Sequence, residues 1–303
     1  MNKSPVFQYF RIADHVVRIA CRTPFDLYKC LPSFLPFRIT DIGIMDVLME
    51  VQLTTEELSE EGEELEKLND VDYIMDERFI LERGADSYLT SILPRETGKS
   101  WRMRSSIDFS RSTISLDHAE LYTTSKLSWL IMIAFGQACV RSKTILVHAS
   151  SVQIGKVAYA FLGKSGTGKS THSELWIKYV SGCELLNDDN PAVRVFGDGH
   201  VYIYGTPWSG KKDCYRNQRA TLGGITRLVQ GPKNEFNLKK GTEALIALLP
   251  SGSGIRWDTT IYSKMVGILQ EIVENVPIGE LVNLPNKGAV ELHIDKLRSI
   301  KDG

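Results

Sequence analysis

Over the first 120 or so positions, apolar residues either alternate with polar ones or gather in runs too short for helices. FQYFRI, VVRIAC, IMDVLMEVQL, RFILERG and SSIDFS are rich in β-branched and aromatic side chains, a composition that predicts strands. Together they predict an antiparallel, partly two-faced sheet. Residues 56–70 break the pattern with eight acidic side chains against one lysine, Lys67, around Gly62. Like charges at that density predict a solvated loop or a short exposed helix. The period then changes: SKLSWLIMIAFGQACVR, 125–141, reads as a buried helix with Ser125 at its N-cap, too short to span a bilayer. The switch places a lobe boundary here, with a β-rich N-terminal lobe at 1–124 and a second lobe at 125–303.

The second lobe opens with TILVHASSVQI and GKVAYAFL, two strand-like runs around Gly155-Lys156, which predicts a tight hairpin. The return strand feeds straight into GKSGTGKS, residues 163–170. A helical pattern follows from Lys169 and stops at Ser181-Gly182, and CELLN then runs into Asp188-Asp189. AVRVF and HVYIYG flank Gly197-Asp198-Gly199, another hairpin signal. The segment 205–219, GTPWSGKKDCYRNQR, is turn-rich and basic. A helix, a strand and a helix near 258–275, 277–284 and 287–299 close the chain, the last capped by Asn286 behind Pro285.

The stretch GKSGTGKS fits G-x-x-x-x-G-K-[ST], the Walker A loop. Gly163, Gly166 and Gly168 let successive backbone N–H groups turn inward, and the helix that follows adds its positive end, so the loop can cradle a phosphate chain. Lys164, Ser165, Thr167 and Thr171 complete that cradle; Lys169 supplies charge to the β- and γ-phosphates, and the Ser170 hydroxyl can ligate Mg²⁺. Asp188 and Asp189 end a short apolar strand eighteen and nineteen residues after Ser170. The intervening helix returns the chain to the loop's side, where one carboxylate can hold Mg²⁺ and the other face an acceptor hydroxyl. His148, fifteen residues before Gly163, sits on the paired strand of the hairpin and is carried toward the loop. There it can orient a carboxylate or contact the transferring phosphoryl group. In the basic segment, Lys211, Lys212, Arg216 and Arg219, with Trp208 and Tyr215, form a candidate substrate clamp.

Bulk composition narrows the classes. A formal net charge of −1 over 303 residues gives no global attraction to nucleic acid or anionic lipid. The five cysteines are odd in number, widely spaced and contain no C-x-x-C, so reduced core thiols are expected rather than a disulfide framework or a zinc site. Asp14 and several arginines interrupt the apolar residues of the N-terminal segment, which predicts no signal peptide and a cytoplasmic location.

A histidine in a strand, a hairpin, G-x-S-G-x-G-K-S, a helix and an apolar strand ending in Asp-Asp together resemble the HPr kinase/phosphorylase superfamily. The nucleotide fold of that superfamily is shared with ATP-dependent phosphoenolpyruvate carboxykinase. With LLNDDNP and GTPWSGK as markers, the chain is most similar to less characterised bacterial HPr-kinase-like proteins. The resemblance spans about residues 145–295 and is carried by the motifs at 148–190. It implies an α/β (α+β) P-loop kinase domain with a mixed sheet, preceded by the β-rich lobe, which could serve as a recognition platform although nothing in its sequence names a ligand. It further implies ATP and Mg²⁺ as cofactors and transfer of the γ-phosphate to a hydroxyl of a protein, peptide or small molecule. Asp188 would be the base, Asp189 and Ser170 the Mg²⁺ ligands, and His148 and Lys169 catalytic; the two aspartates could exchange roles. The sequence departs from the family at Thr171, where HPr kinases carry an acidic residue, and the glycine-rich HPr-contacting signature is missing. A homo-oligomer is expected because HPr kinases form rings. Two other readings use the same residues: a phosphoenolpyruvate carboxykinase-like lyase and a non-catalytic nucleotide-sensing module.

Overall fold

The protein is described here by a computed structural model covering residues 5–21, 26–59, 63–74, 77–94, 99–210 and 212–301. The chain divides into two compact units, Met1–Cys139 and Val140–Gly303, each built around a nine-stranded mixed sheet.

In the first unit, strands Val6–Ile12 and His15–Cys21 form a hairpin through residues 13–14, as their alternation predicts. Two pairings depart from the antiparallel sheet expected. Val47–Thr54 lies parallel to both His15–Cys21 and Arg111–Ser115, so the sheet is mixed. SSIDFS is also not a strand: the pairing of Trp101–Ser106 with Arg111–Ser115 places residues 107–110 in the turn. Most of the acidic tract's end is strand rather than loop or helix. Glu66–Ile74 pairs with Glu77–Arg83, and Arg78 holds Asp70 at 2.8 Å while Lys67 holds it at 3.1 Å. A charged strand suits this position at the sheet's edge, where unpaired backbone must be kept from docking with other strands.

The apolar helix Lys126–Ala138 packs on Val47–Thr54, Trp101–Ser106 and Arg111–Ser115, burying Leu127, Leu130, Ile131, Ala134 and Phe135. The boundary between units therefore falls after this helix, at 139/140, instead of near 125. Ser125 stands at its N-cap but its side chain makes no capping bond. No helix among the described residues is long and apolar enough to cross a membrane. None of the five cysteines is in a disulfide; burial pushes the Cys30 thiol up to about 11 and that of Cys183 up to about 12, as expected of inert core thiols.

The second unit is a sheet with helices on both faces, and parity along its strands decides which side chain meets which face. In Val157–Leu162, Ala158, Ala160 and Leu162 join one core with Leu248 of helix Gly241–Leu248 and Met265, Ile268 and Leu269 of helix Thr259–Asn275. Phe161 points the other way, to Trp176 of helix Lys169–Tyr179 and to Val290 and Leu297 of helix Lys287–Lys301. Gly155 takes the positive φ that the two-residue hairpin turn needs, and Asn286 caps the last helix through the Ala289 N–H at 3.1 Å.

The pattern reading misses the middle of the sheet. Arg219–Gln230 is a twelve-residue strand that runs parallel to Val157–Leu162 on one edge. Its other edge is shared end to end by Val201–Tyr204 and Ile278–Asn283. Gly223-Gly224 hides it in the sequence, because glycine weakens a strand. Here Gly223 is the extra residue of a bulge, and a Cβ on it would lie 2.5 Å from Val157.

Behind the phosphate-type loop, helix Lys169–Tyr179 is seated by a buried polar chain. Thr226 Oγ1 lies 2.7 Å from His293 Nε2, His293 Nδ1 lies 3.1 Å from His172 Nε2, and Trp176 donates its indole N–H to His172 at 3.0 Å. Burial holds the His172 imidazole down at about 4 and pushes His293 well below its ordinary value. Both rings are neutral in the folded protein, whereas the unfolded chain takes up their protons near pH 6.5. Stability should therefore be full above that pH and fall as the pH drops toward about 4. Urea melts at stepped pH should show this loss, and His293→Gln should make the slope shallower; an unchanged slope would contradict the neutral pair.

Candidate active site

Strand Val157–Leu162 ends inside the sheet, and the chain must then reverse into helix Lys169–Tyr179 within six residues. Gly163, Gly166 and Gly168 make this possible with φ of +155°, +81° and +96°. The turn is fastened by Thr167, whose hydroxyl donates to the Lys164 carbonyl at 2.7 Å, and by Gln230, whose amide donates to the Gly166 carbonyl at 3.3 Å. A Cβ at Gly163 would lie 2.3 Å from the Thr167 hydroxyl, so a side chain there would force Thr167 out of its bond to the Lys164 carbonyl.

Lys169 folds back into this loop. Its ammonium donates to the Gly163 carbonyl at 2.9 Å and meets His148 Nε2 at 3.0 Å. An ammonium can only donate, so Nε2 is the acceptor, and the proton of a neutral His148 sits on Nδ1. That nitrogen faces Asp189 Oδ1 at 3.1 Å. The hairpin thus carries His148 to the loop, between the lysine and one aspartate. Burial lowers the Lys169 ammonium from its ordinary value, and the charges of Asp189 and then Asp188 oppose the shift.

Asp188 and Asp189 leave the strand in different directions. Asn187 is fully buried, and its side-chain oxygen accepts from the backbone N–H groups of Asp189 at 3.0 Å and Asn190 at 2.9 Å. Its amide donates to Trp208 O at 3.0 Å and Thr206 Oγ1 at 3.2 Å, which pins the 205–210 segment over the turn. Asp189 is also bonded by the Asn190 amide at 2.6 Å. Asp188 is 5% exposed; it accepts from the Ser150 hydroxyl at 2.7 Å, while Ser150 and Ser173 lie 2.7 Å apart. Its second oxygen, Oδ2, is buried with no hydrogen-bond partner among the described residues. A buried, unpartnered carboxylate oxygen is costly unless a cation or a hydroxyl comes to it.

These groups line one cavity of about 440 Å³. His148, Ser165, Gly166, Gly168, Lys169, Ser170, Thr171, Asp188 and Asp189 all contribute, joined by Glu174 and Gly210. The basic segment is brought in only partly. Lys211 lies outside the described residues. Lys212 pairs with Glu174 at 2.7 Å, beside the cavity. Arg216 is instead engaged by Glu184, Arg219 stacks on Tyr202 and Trp208 is buried, so none of the three lines the cavity as a clamp. The sequence reading passed over Ser150, Ser173, Asn187 and Glu174. Strand parity could have found Ser150, since it shares a face with Val152, but nothing local marks the others.

Removing the Ser150 hydroxyl leaves both oxygens of a buried carboxylate without a donor, so Ser150→Ala should cost about 2 kcal/mol of unfolding free energy. In Asp188→Asn the same substitution should cost much less. Equal losses in denaturant melts of the two backgrounds would refute the coupling.

Compared with solved structures, the chain is similar to the HPr(Ser) kinase/phosphatase from Coxiella burnetii. The TM-score is 0.31 and the sequence identity 12%, over 52% of this chain and 99% of that one. No protein-family model matches the chain, and no curated protein matches it either.

Proposed function

We propose that the second unit is a phosphotransferase of the P-loop type that moves the γ-phosphate of ATP to a hydroxyl group, with Mg²⁺. The observation that carries this reading is the convergence on one cavity of a glycine loop, its lysine and serine, a histidine and two differently placed carboxylates. A switch or sensor has use for the loop but not for a buried carboxylate with a free oxygen. The residues suit the metal: Mg²⁺ takes one or two carboxylates and fills its remaining positions with phosphate and water. Ser170 and Asp189 would hold it, and when bound it supplies neutralisation of the charge on the β- and γ-phosphates.

The chain's own residues divide the remaining work. The backbone N–H groups of the loop and the start of helix Lys169–Tyr179 bind and orient the phosphates. Lys169 exchanges the Gly163 carbonyl for a phosphate oxygen and absorbs charge as the phosphoryl group moves. Asp188 takes the proton of the acceptor hydroxyl on Oδ2 as the hydroxyl oxygen attacks phosphorus and the bond to the leaving diphosphate breaks. His148 keeps Lys169 and Asp189 in register. The acceptor is a hydroxyl of a protein, peptide or small molecule.

The test is phosphoryl transfer from γ-labelled ATP with Mg²⁺ into a cell lysate. Wild type should label an acceptor, and Asp188→Asn should reduce labelling by about a hundredfold or more while leaving nucleotide affinity within about threefold. Equal labelling by both proteins would remove Asp188 from the mechanism. Tight nucleotide binding without any labelling would favour the sensor reading.

A further inference from the structure

A second cavity, of about 190 Å³, lies against the same loop and is lined by His148, Leu162, Gly163, Lys164, Arg227, Ala247, Pro250 and Ser251. It shares His148 with the larger cavity but none of the carboxylates there. Strand parity explains how Arg227 reaches it. Ile225 faces the core beneath helix Gly241–Leu248, whereas Thr226 faces His293 on the other side. Arg227, two residues after Ile225, returns to the helix Gly241–Leu248 face, in register with Leu162 of the neighbouring strand.

Neither cation in this cavity is spoken for. Arg227 is half-buried, and neither its guanidinium nor the Lys164 ammonium has a side-chain partner among the described residues. The carboxylate in register with Arg227 is Glu280, and it is turned to Lys239 at 3.4 Å. No aspartate or glutamate is among the lining residues. A half-buried arginine without an anion loses hydration for nothing in return, and its planar fork matches a phosphate or carboxylate. Leu162, Ala247 and Pro250 supply apolar lining that would shield such a contact from water.

We infer that this cavity is a second oxoanion site, separate from the cradle for the nucleotide's phosphates and built on Arg227, with Lys164 closing it from the loop. It suits the anionic group, phosphate or carboxylate, of a second ligand. Because His148 walls both cavities, that ligand is held beside the imidazole that positions Lys169. Its role as the seat of the acceptor's anionic group rests on the phosphotransfer reading; the binding of the anion does not.

Inorganic phosphate is the probe, titrated calorimetrically into wild type with the loop already saturated by Mg²⁺ and a non-hydrolysable ATP analogue. One further phosphate should bind, and Arg227→Gln should weaken it by about tenfold or more without changing affinity for the analogue. Lys169→Ala, titrated without the analogue, should keep the Arg227-dependent phosphate, so the site can stand even if phosphotransfer does not. Should Arg227→Gln fail to fold by circular dichroism, Arg227→Lys, which keeps the charge and loses the planar fork, carries the same comparison. Three results would overturn the inference. Phosphate does not bind; the analogue abolishes its binding; or Arg227→Gln weakens the analogue as much as phosphate, which would make the cavity part of the nucleotide's own site.

Discussion

The site depends on where one ammonium group can go. Lys169 lies at the first turn of a helix, surrounded by backbone N–H groups that cannot accept from it, so it needs acceptors from outside the helix. The Gly163 carbonyl and His148 Nε2 supply them at 2.9 and 3.0 Å. This requirement ties together parts far apart in sequence. His148 must lie immediately before the strand Ala149–Ile154, which pairs with the one that enters the loop, its other nitrogen must find Asp189, and Asp189 must be turned toward it by Asn187. Charge and acceptor are thus matched within the site, and in the proposed reaction a phosphate oxygen has only to replace a carbonyl.

The opposite side of the same helix imposes the complementary demand. It is packed without charge, because an ion buried beneath the helix would lose its hydration with no partner to offset the loss. Thr226, His293, His172 and Trp176 meet that demand with hydrogen bonds between rings whose burial disfavours protonation. The Ser173–Ser150–Asp188 chain lies nearer the cavity and sets one carboxylate oxygen while leaving the other open. Polar groups in the core thus fix the helix, and those at its edge aim the carboxylate.

Much of this was legible along the chain because it is local. The two-residue hairpin at Gly155-Lys156, the glycine loop, the helix stop at Gly182 and the Asp-Asp turn each follow from the conformational needs of neighbouring residues. What escaped depends on distant partners. The central strand Arg219–Gln230 carries two glycines that local propensity rejects and that close packing on Val157 requires. Parallel pairing in the N-terminal sheet has no local signature, and the acidic tract ends in a strand whose partner, Glu77–Arg83, supplies Arg78 to Asp70 from outside the tract. Arg216 looked like a substrate ligand from its basic neighbourhood, yet Glu184, 32 positions away, engages it.

The most direct measurement is the affinity for Mg²⁺-ATP by calorimetry in wild type and Lys169→Ala, with thermal melts of both proteins. If the ammonium is held for phosphate, wild type binds saturably and Lys169→Ala binds at least about tenfold more weakly, at an unchanged melting temperature. Failure of wild type to bind, or equal affinity in the two proteins, would contradict the account.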